Sequence, residues 1–569
     1  TNHILQIFYA TEKSKVQATV GDYRQSIVKA LSSIMLSQRM QELTQKANPP
    51  FLFGGSDRSE FIQGYESYFG FAVVGGAGLT PAIQAVIYEN ERAKKFGFTA
   101  AELDRVKKSM LRSMERAYNE RDKTESENYA DEYLRNFTSD EPIPGIENEN
   151  KYYAEFIPAI TLEEVNAFTA KNIPAITEQK LVVLMGPEKS DFKMPTNEEL
   201  LSLVVEAEKM PVTAYEEKSV ATSLMTTVPT GGHITAEKKN TQLDITELTL
   251  SNGVRVFMKP TTFKNDEVIF SGIRSGGQST FEAADALNAM YTASMVAQMG
   301  VGDFSPVDLR KVLAGKSVGV TPRLSTYTEG INGQSGTADV ETMLQLVNLY
   351  FTKPRKDEEL FKSVVTRQQA ALQNMMSDPK TVFQDSAQKM LYNFNPRGPR
   401  LPRPADFTKL NIDRILSIYK ERFSNARGFT FFIVGSFDPA KVKPLLETYL
   451  GTLPSAAAAP AGFKDFGLRP VKGVVKKEIK KGNEPKSFIN LVFSGETPYS
   501  DSEQMKLQAL IELMNIKLIE TLREELGGIY GGGMNGSLTK TPVNSYSINV
   551  SATTEDGRAV NVTQDGGCT

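Results

Sequence analysis

A chain of 569 residues is too long for a single core, and the usual domain size predicts about three or four domains. Its 40% hydrophobic and 23% charged residues are ordinary for a globular protein, and a formal net charge of -3 gives no reason to expect nucleic acid as a partner. No apolar run approaches the roughly eighteen residues of a membrane span; the single cysteine, Cys568, excludes an intrachain disulfide framework, and two distant histidines, His3 and His233, argue against a self-contained zinc site or a serine triad.

The opening "TNHILQIFYATEKSK" lacks the charged start, apolar middle and small-residue exit of a cleavable signal, and with Thr rather than Met first the natural start is expected to lie elsewhere. Residues 1–205 alternate strand and helix patterns. "LQIFYA" predicts a strand, about 19–46 a helix, and "YFGFAVVGG" a second strand. "FGFTAAELDRVKKSMLRSMERAY" opens on a capping box, Thr99 with Glu102, beside a hydrophobic staple of Phe98 and Leu103. "ITLEEVNAFTAKNI" repeats the device with Thr161 and Glu164, and "KLVVLMGP" closes an α+β domain as a buried strand.

Residues 206–240 mix Pro, Gly, Thr and charge without a sustained period and read as a linker, with His233 on it as a solvated histidine. A domain over 241–455 begins with "ITELTLSNGVRVFMKP", two strands joined through Asn252-Gly253. Helical stretches follow near 283–299, 305–315, 337–353 and 356–376, and "GFTFFIVGSFDPAKVKPLLETYLGTLPS" ends the domain as a buried strand turning through Gly435 and Asp438-Pro439 into a helix. "PSAAAAPAG", residues 454–462, marks a second junction. In the last unit, 456–569, the strand "SFINLVFSG" precedes a helix that Ser500 and Glu503 can box, with Leu507, Ile511, Met514, Leu518 and Leu522 in one apolar stripe and Gly527 as its stop.

Laying the first unit over the last reveals an internal repeat: "RMQELTQKANPPFLFGGS" (39–56) falls on "KLIETLREELGGIYGGGMN" (517–535). Gln45 then occupies the place of Arg523, and Leu52 that of Tyr530. Because the first unit continues far past its matching strand, the last unit is expected to be truncated, with "TQDGGCT" not packing as a native end.

With this organisation the chain resembles the insulinase-like (pitrilysin) zinc peptidases, on the strength of "LSNGVRVFMKP", "FFIVGSFDPAKVKPLLETYLGTLP" and above all "LREELGGIYGGG". The resemblance implies an α+β fold of tandem repeated sandwich domains, antiparallel-rich sheets with helices on one face, of which this chain carries the second, third and fourth. It also implies that the catalytic zinc belongs to a first domain lying outside the chain. In the third domain, "MYTASMVAQMG" stands where the family's inverted zinc motif would lie, and Tyr291, Ser294 and Met295 at its positions cannot assemble a metal site; "VVTRQQAALQN" supplies no later carboxylate, so no metal is expected on this chain.

Carried over from the family, Arg523 and Tyr530 are candidate substrate and oxyanion contacts: a phenol can donate to a developing oxyanion and a guanidinium can hold a neighbouring carbonyl. Gly527, Gly528, Gly531 and Gly532 are candidate substrate-binding positions, because glycine lets a peptide backbone approach closely. On the residues alone, Arg523 equally suits a helix C-terminus by its charge and Tyr530 a half-buried surface aromatic. The implied function is part of a zinc endopeptidase that encloses peptides, its partners a peptide substrate and either an N-terminal domain or a catalytic chain; a non-catalytic peptide-binding or scaffold subunit is the alternative. A bacterial periplasmic or envelope location fits a peptidase of this type.

Overall fold

Alternating apolar side chains make "ILQIFYATEK" a strand that turns Leu5 and Ile7 inward and leaves the intervening residues on the other face. The computed structural model describes residues 2–555 apart from 16, 188–191, 218–219, 374 and 530. The chain runs β1 (Ile4–Lys13), α1 (Val20–Leu43), β2 (Phe53–Ile62), β3 (Tyr65–Val73), α2 (Leu79–Phe96), α3 (Ala100–Asn119), α4 (Ser126–Ser139), α5 (Ile146–Ala159), α6 (Leu162–Asn172), β4 (Lys180–Met185) and α7 (Asn197–Glu208). It continues with β5 (Ile234–Asn240), β6 (Ile245–Leu250), β7 (Arg255–Pro260), β8 (Val268–Ser275), α8 (Ala286–Gln298), α9 (Pro306–Val312), β9 (Val318–Leu324), β10 (Thr328–Ser335), α10 (Val340–Thr352) and α11 (Glu358–Leu372). After α12 (Pro379–Leu391), α13 (Pro404–Phe407), α14 (Ile412–Phe423), β11 (Thr430–Gly435) and α15 (Pro439–Tyr449), the last elements are β12 (Lys486–Glu496), α16 (Asp501–Leu518), β13 (Gly531–Thr539) and β14 (Ser545–Glu555).

The three sheets share one plan. Strand order is β2-β3-β1-β4 in the first, β5-β6-β7-β11-β8-β10-β9 in the second and β12-β14-β13 in the third. Strand, helix and two hairpin-paired strands therefore recur as β1-α1-β2-β3, β8-α8-β9-β10 and β12-α16-β13-β14, with the first strand of each set paired antiparallel to the last. The sequence overlay of 39–56 on 517–535 falls on equivalent elements. The fold is the expected α+β type: β7 beside β11 is the parallel pair among otherwise antiparallel ladders. Helices cover one face of the large sheet, so Val256, Met258, Phe270, Phe431 and Ile433 are fully buried while Ile269, Ile273 and Phe432 on its other face stay exposed.

Local signals explain many element ends. Thr99 and Glu102 form the expected box, and Gly253 sits at φ 79° in the turn from β6 to β7, a conformation glycine adopts without steric cost. Two other expected boxes form only by half. Thr161 accepts from the Glu164 amide, but the Glu164 carboxylate turns to Arg24; Ser500 accepts from Glu503, whose carboxylate goes to Lys506. A charged partner within reach outbids a backbone amide that water can also serve.

Both expected linkers are docked. In the first, the Tyr215 hydroxyl donates to Glu42 at 2.7 Å, Leu224 is buried in the core of the middle sheet, and Ile234–Asn240 forms the edge strand β5, a polar, lysine-bearing edge with no apolar period to reveal it. In the second, the Pro454 carbonyl accepts from the Ala426 amide at 2.7 Å and the Ser455 hydroxyl donates to the Asn252 carbonyl at 2.7 Å, and just beyond it Phe463 and Phe466 pack about Tyr327. The first unit meets the middle one through α3. Arg112 reaches Asp266 at 2.9 Å and Asp339 at 3.3 Å, Arg116 reaches Glu267 at 3.3 Å, and Ser363 and Arg367 of α11 donate to the Thr44 carbonyl at the end of α1.

Candidate functional site

The candidate residues lie where α16 hands over to β13. Ile511, Leu518 and Leu522 bury one side of the helix against the third sheet, together with Ile529 and Ala552. Of the expected stripe, Met514 is exposed instead, and so are Met505, Leu510, Leu513 and Ile516. Beyond Leu518 the helix widens into a π-helical segment, Ile519–Glu525, in which the Leu526 amide bonds back five residues to Thr521 at 3.1 Å. Such widened turns shift every following side chain around the helix and recur at functional sites.

Arg523 rides on this segment with its side chain 56% exposed, and its ion partner is the adjacent Glu524 at 3.6 Å. An exposed pair of that length contributes little, so the guanidinium is held loosely and is open to other acceptors. Gly527 ends the helix at φ 54°, a left-handed stop, and the Gly528 amide donates to the Leu522 carbonyl at 2.8 Å while its own carbonyl accepts from Thr554. Tyr530 lies outside the described residues.

Gly531 and Gly532 begin β13 and line a cleft of about 630 Å³ between the third sheet and the middle unit. The floor is the sheet face opposite α16, where Phe488, Asn490, Asn549, Ser551 and Thr553 appear by strand alternation. The wall is α12, with the Phe383 ring tilted against that of Phe488 at 6.2 Å, and the Pro399–Leu401 turn. A side chain at Gly531 would meet nothing within 4 Å, whereas one at Gly532 would run into the Ser551 carbonyl at 2.8 Å. Thus Gly531 leaves the trough open and Gly532 permits tight strand pairing. Arg523, Gly527 and Gly528 do not line this cleft, so the structure brings two of the four glycines to it and leaves the arginine on the helix behind.

Asp406 and Asp385 brace the wall. Arg400 grips the Asp406 carboxylate through both nitrogens, 2.6 and 2.9 Å, and Asp385 takes Lys389 at 2.7 Å and the Leu401 amide at 2.9 Å. Burial would raise both carboxyl pKa values, but Arg400 for the one, and Lys389 with the Leu401 amide for the other, hold them below the ordinary aspartate range. Sequence reasoning missed this wall and the asparagines of the floor, since α12 carries no motif and lone asparagines in a strand look like surface polarity.

The residues at the zinc-motif positions do not suit a metal. Met295 is buried in the core, Tyr291 packs 4.7 Å from Phe407, and Ser294 donates to the Tyr291 carbonyl. His3 stacks on Phe192 and His233 is exposed; among the described residues no three His, Cys, Asp or Glu side chains gather as a metal site. Among the same residues no helix is long and apolar enough to cross a membrane.

Known proteins share this arrangement. The Peptidase M16 inactive domain matches residues 409–565. A zinc protease PQQL-like protein of Arabidopsis thaliana is 26% identical over 558 residues, 94% of this chain and 52% of its own length; the probable zinc protease PqqL of Escherichia coli is 23% identical over 502 residues, 87% and 53%. The chain thus spans about half the length of these relatives. Two solved structures share the fold over 99% of the chain and 62% of their own: the periplasmic protease PqqL from Escherichia coli (19% identity, TM-score 0.55) and the ferredoxin protease FusC in complex with Arabidopsis ferredoxin (17%, 0.66). A thrice-repeated strand plan, matched along nearly its whole length by zinc proteases and at its Arg523 segment by the Peptidase M16 inactive domain, makes this chain similar to the insulinase-like (M16) peptidases.

Proposed function

We propose that this chain supplies the second, third and fourth domains of a peptidase that encloses peptides, with zinc held by a domain outside residues 1–569. Its task is to hold the substrate main chain. Arg523 binds a substrate carbonyl and Tyr530 donates to the oxyanion that develops as the bond is attacked, while Gly527 and Gly528 shape the approach. The observation that carries the reading is a loosely held, exposed guanidinium on a helix end, joined by a glycine stop to a glycine-led strand; the cleft lies beyond that strand, on the sheet face away from Arg523. A periplasmic setting agrees with the relative described as a periplasmic protease.

The test is kinetic. In the enzyme completed by its zinc-bearing domain, Tyr530→Phe should lower kcat about 10²–10³-fold with KM little changed, the loss expected for one oxyanion donor, and Arg523→Ala should lower kcat/KM. Turnover unchanged by both substitutions would remove the reading. A non-catalytic scaffold or peptide-binding subunit is the second reading, and Tyr291, Ser294 and Met295 fit it as well as they fit the first. It predicts that the coding sequence upstream of Thr1 holds no inverted zinc motif.

A further inference from the structure

The cleft holds something its walls leave unsatisfied. On its floor the side-chain oxygens Oδ1 of Asn490 and Asn549 are buried and have no hydrogen-bond partner among the described residues. Both belong to the face of the third sheet that looks away from α16: Asn490 is registered opposite Ser551, and Asn549 opposite Val492, so the two amides sit diagonally across neighbouring strands. Along the same face, Gly531 is registered opposite Thr553, and a side chain there would meet nothing within 4 Å, so the start of β13 leaves bare space beside the two amides. A buried amide with unused bonding capacity costs free energy unless a ligand or water meets it.

We infer that Asn490 and Asn549 are positioning residues for an extended peptide, which lies in the trough over Gly531 and donates main-chain N–H groups to their side-chain oxygens. Four observations choose this occupant. The free groups are two amide acceptors set diagonally across neighbouring strands, a spacing that the alternate N–H groups of an extended backbone can span. An amide turned end for end presents a donor instead, and a main chain carries acceptors as well. The bare space at Gly531 excludes no side chain, so recognition falls on backbone rather than sequence. Phe383 and Phe488 form an apolar wall against which alternate side chains of such a peptide can pack. The inference rests on the peptide-holding reading but adds residues that neither the Arg523 helix nor any metal motif supplies.

Binding of a fluorescent, unstructured peptide of alternating valine and serine to the whole 569-residue chain tests it by anisotropy. Loss of two neutral hydrogen bonds predicts that the Asn490→Leu, Asn549→Leu double variant weakens Kd about ten- to thirtyfold. Gly531→Val should weaken it as well, by filling the trough. The same peptide methylated on alternate backbone nitrogens should bind the unaltered chain about as poorly as the plain peptide binds the double variant, which a merely structural role of the asparagines would not produce. Equal affinity of the plain and methylated peptides for the unaltered chain overturns the inference, and this comparison needs no variant to fold. Peptide affinity lost in the asparagine variant while Tyr530→Phe and Arg523→Ala leave turnover unchanged would sink the transition-state role and keep this one.

Discussion

Arg39 shows how much one buried charge organises. It lies under the first unit with 2% exposure, gives two bonds to Glu102 at 2.7 and 2.8 Å and one to the Gly97 carbonyl, and is sandwiched between Phe98 and Tyr215. Glu102 also accepts from the Thr99 amide, so a helix cap and a core ion pair share one carboxylate. Glu102→Gln should therefore cost about 3–5 kcal/mol, far above an ordinary cap, because it strands a buried guanidinium. Urea unfolding measures it, and pairing Glu102→Leu with Arg39→Met should recover most of the loss. The box was legible in the sequence because it is local; Arg39, 63 residues earlier, was not, since nothing in a helix pattern says which arginine turns inward. Glu217 makes a second residue-scale prediction. Burial would raise its pKa, but Lys311 and Arg105 overcome this and hold it low. A depressed carboxyl stabilises the fold above its unfolded value, about 4.3, and that contribution disappears as pH falls through the folded value. Below about pH 4 the strap carrying Glu217 should loosen, and Glu217→Gln should flatten that acid limb of Tm against pH.

Among the elements, α1 and α16 make the sharpest contrast. Equivalent in the strand plan, α1 is packed by α2, α3 and α6, whereas α16 rests chiefly on β13 and turns Met505, Leu510, Leu513 and Ile516 to solvent. Asn515 and Gln504 fasten it to the free edge of β13, through the backbone of Met534 and the amide of Leu538. With so little apolar surface buried, the third sheet should open below the global unfolding free energy. Native-state hydrogen exchange should find β12, α16 and β14 losing protection before β8 and β11; simultaneous loss would contradict this. Sequence periodicity located α16 and its inward Ile511, Leu518 and Leu522, yet assigned Met514 to the buried stripe because a period marks a face without saying how wide its partner is. The strands β9 and β10 escaped notice for a related reason: "VGVTPRL" and "TEGINGQS" carry Gly, Pro and Asn that resemble turns, and only the pairing of β10 with β8 and of β9 with β10 makes them strands.

At the scale of the molecule, Arg112 is the hub between the first unit and the middle one. Its guanidinium bridges Asp266 and Asp339, both buried, and Asp266 also accepts the Thr337 amide at 2.7 Å. Arg112→Ala leaves two buried carboxylates short of their cation and should cost about 3–5 kcal/mol. Calorimetry should then separate one transition into two as the units uncouple, while the compact envelope seen by small-angle scattering expands. None of these pairings shows in the sequence, where the partners stand more than 150 positions apart and look like ordinary surface charges. What the sequence did carry at this scale was the repetition, because a duplicated scaffold keeps its helix end, breaker and glycines even where its chemistry has diverged.

That divergence is matched by a difference in how the two ends are placed. The end of α1 is claimed by Ser363 and Arg367, whose donors hold the Thr44 carbonyl, and Gln45 beside it is enclosed between two units among Glu42, Glu89, Asp357 and Glu359. At the later copy Arg523 stays on an exposed helix end, within reach of a molecule that the chain itself does not contain.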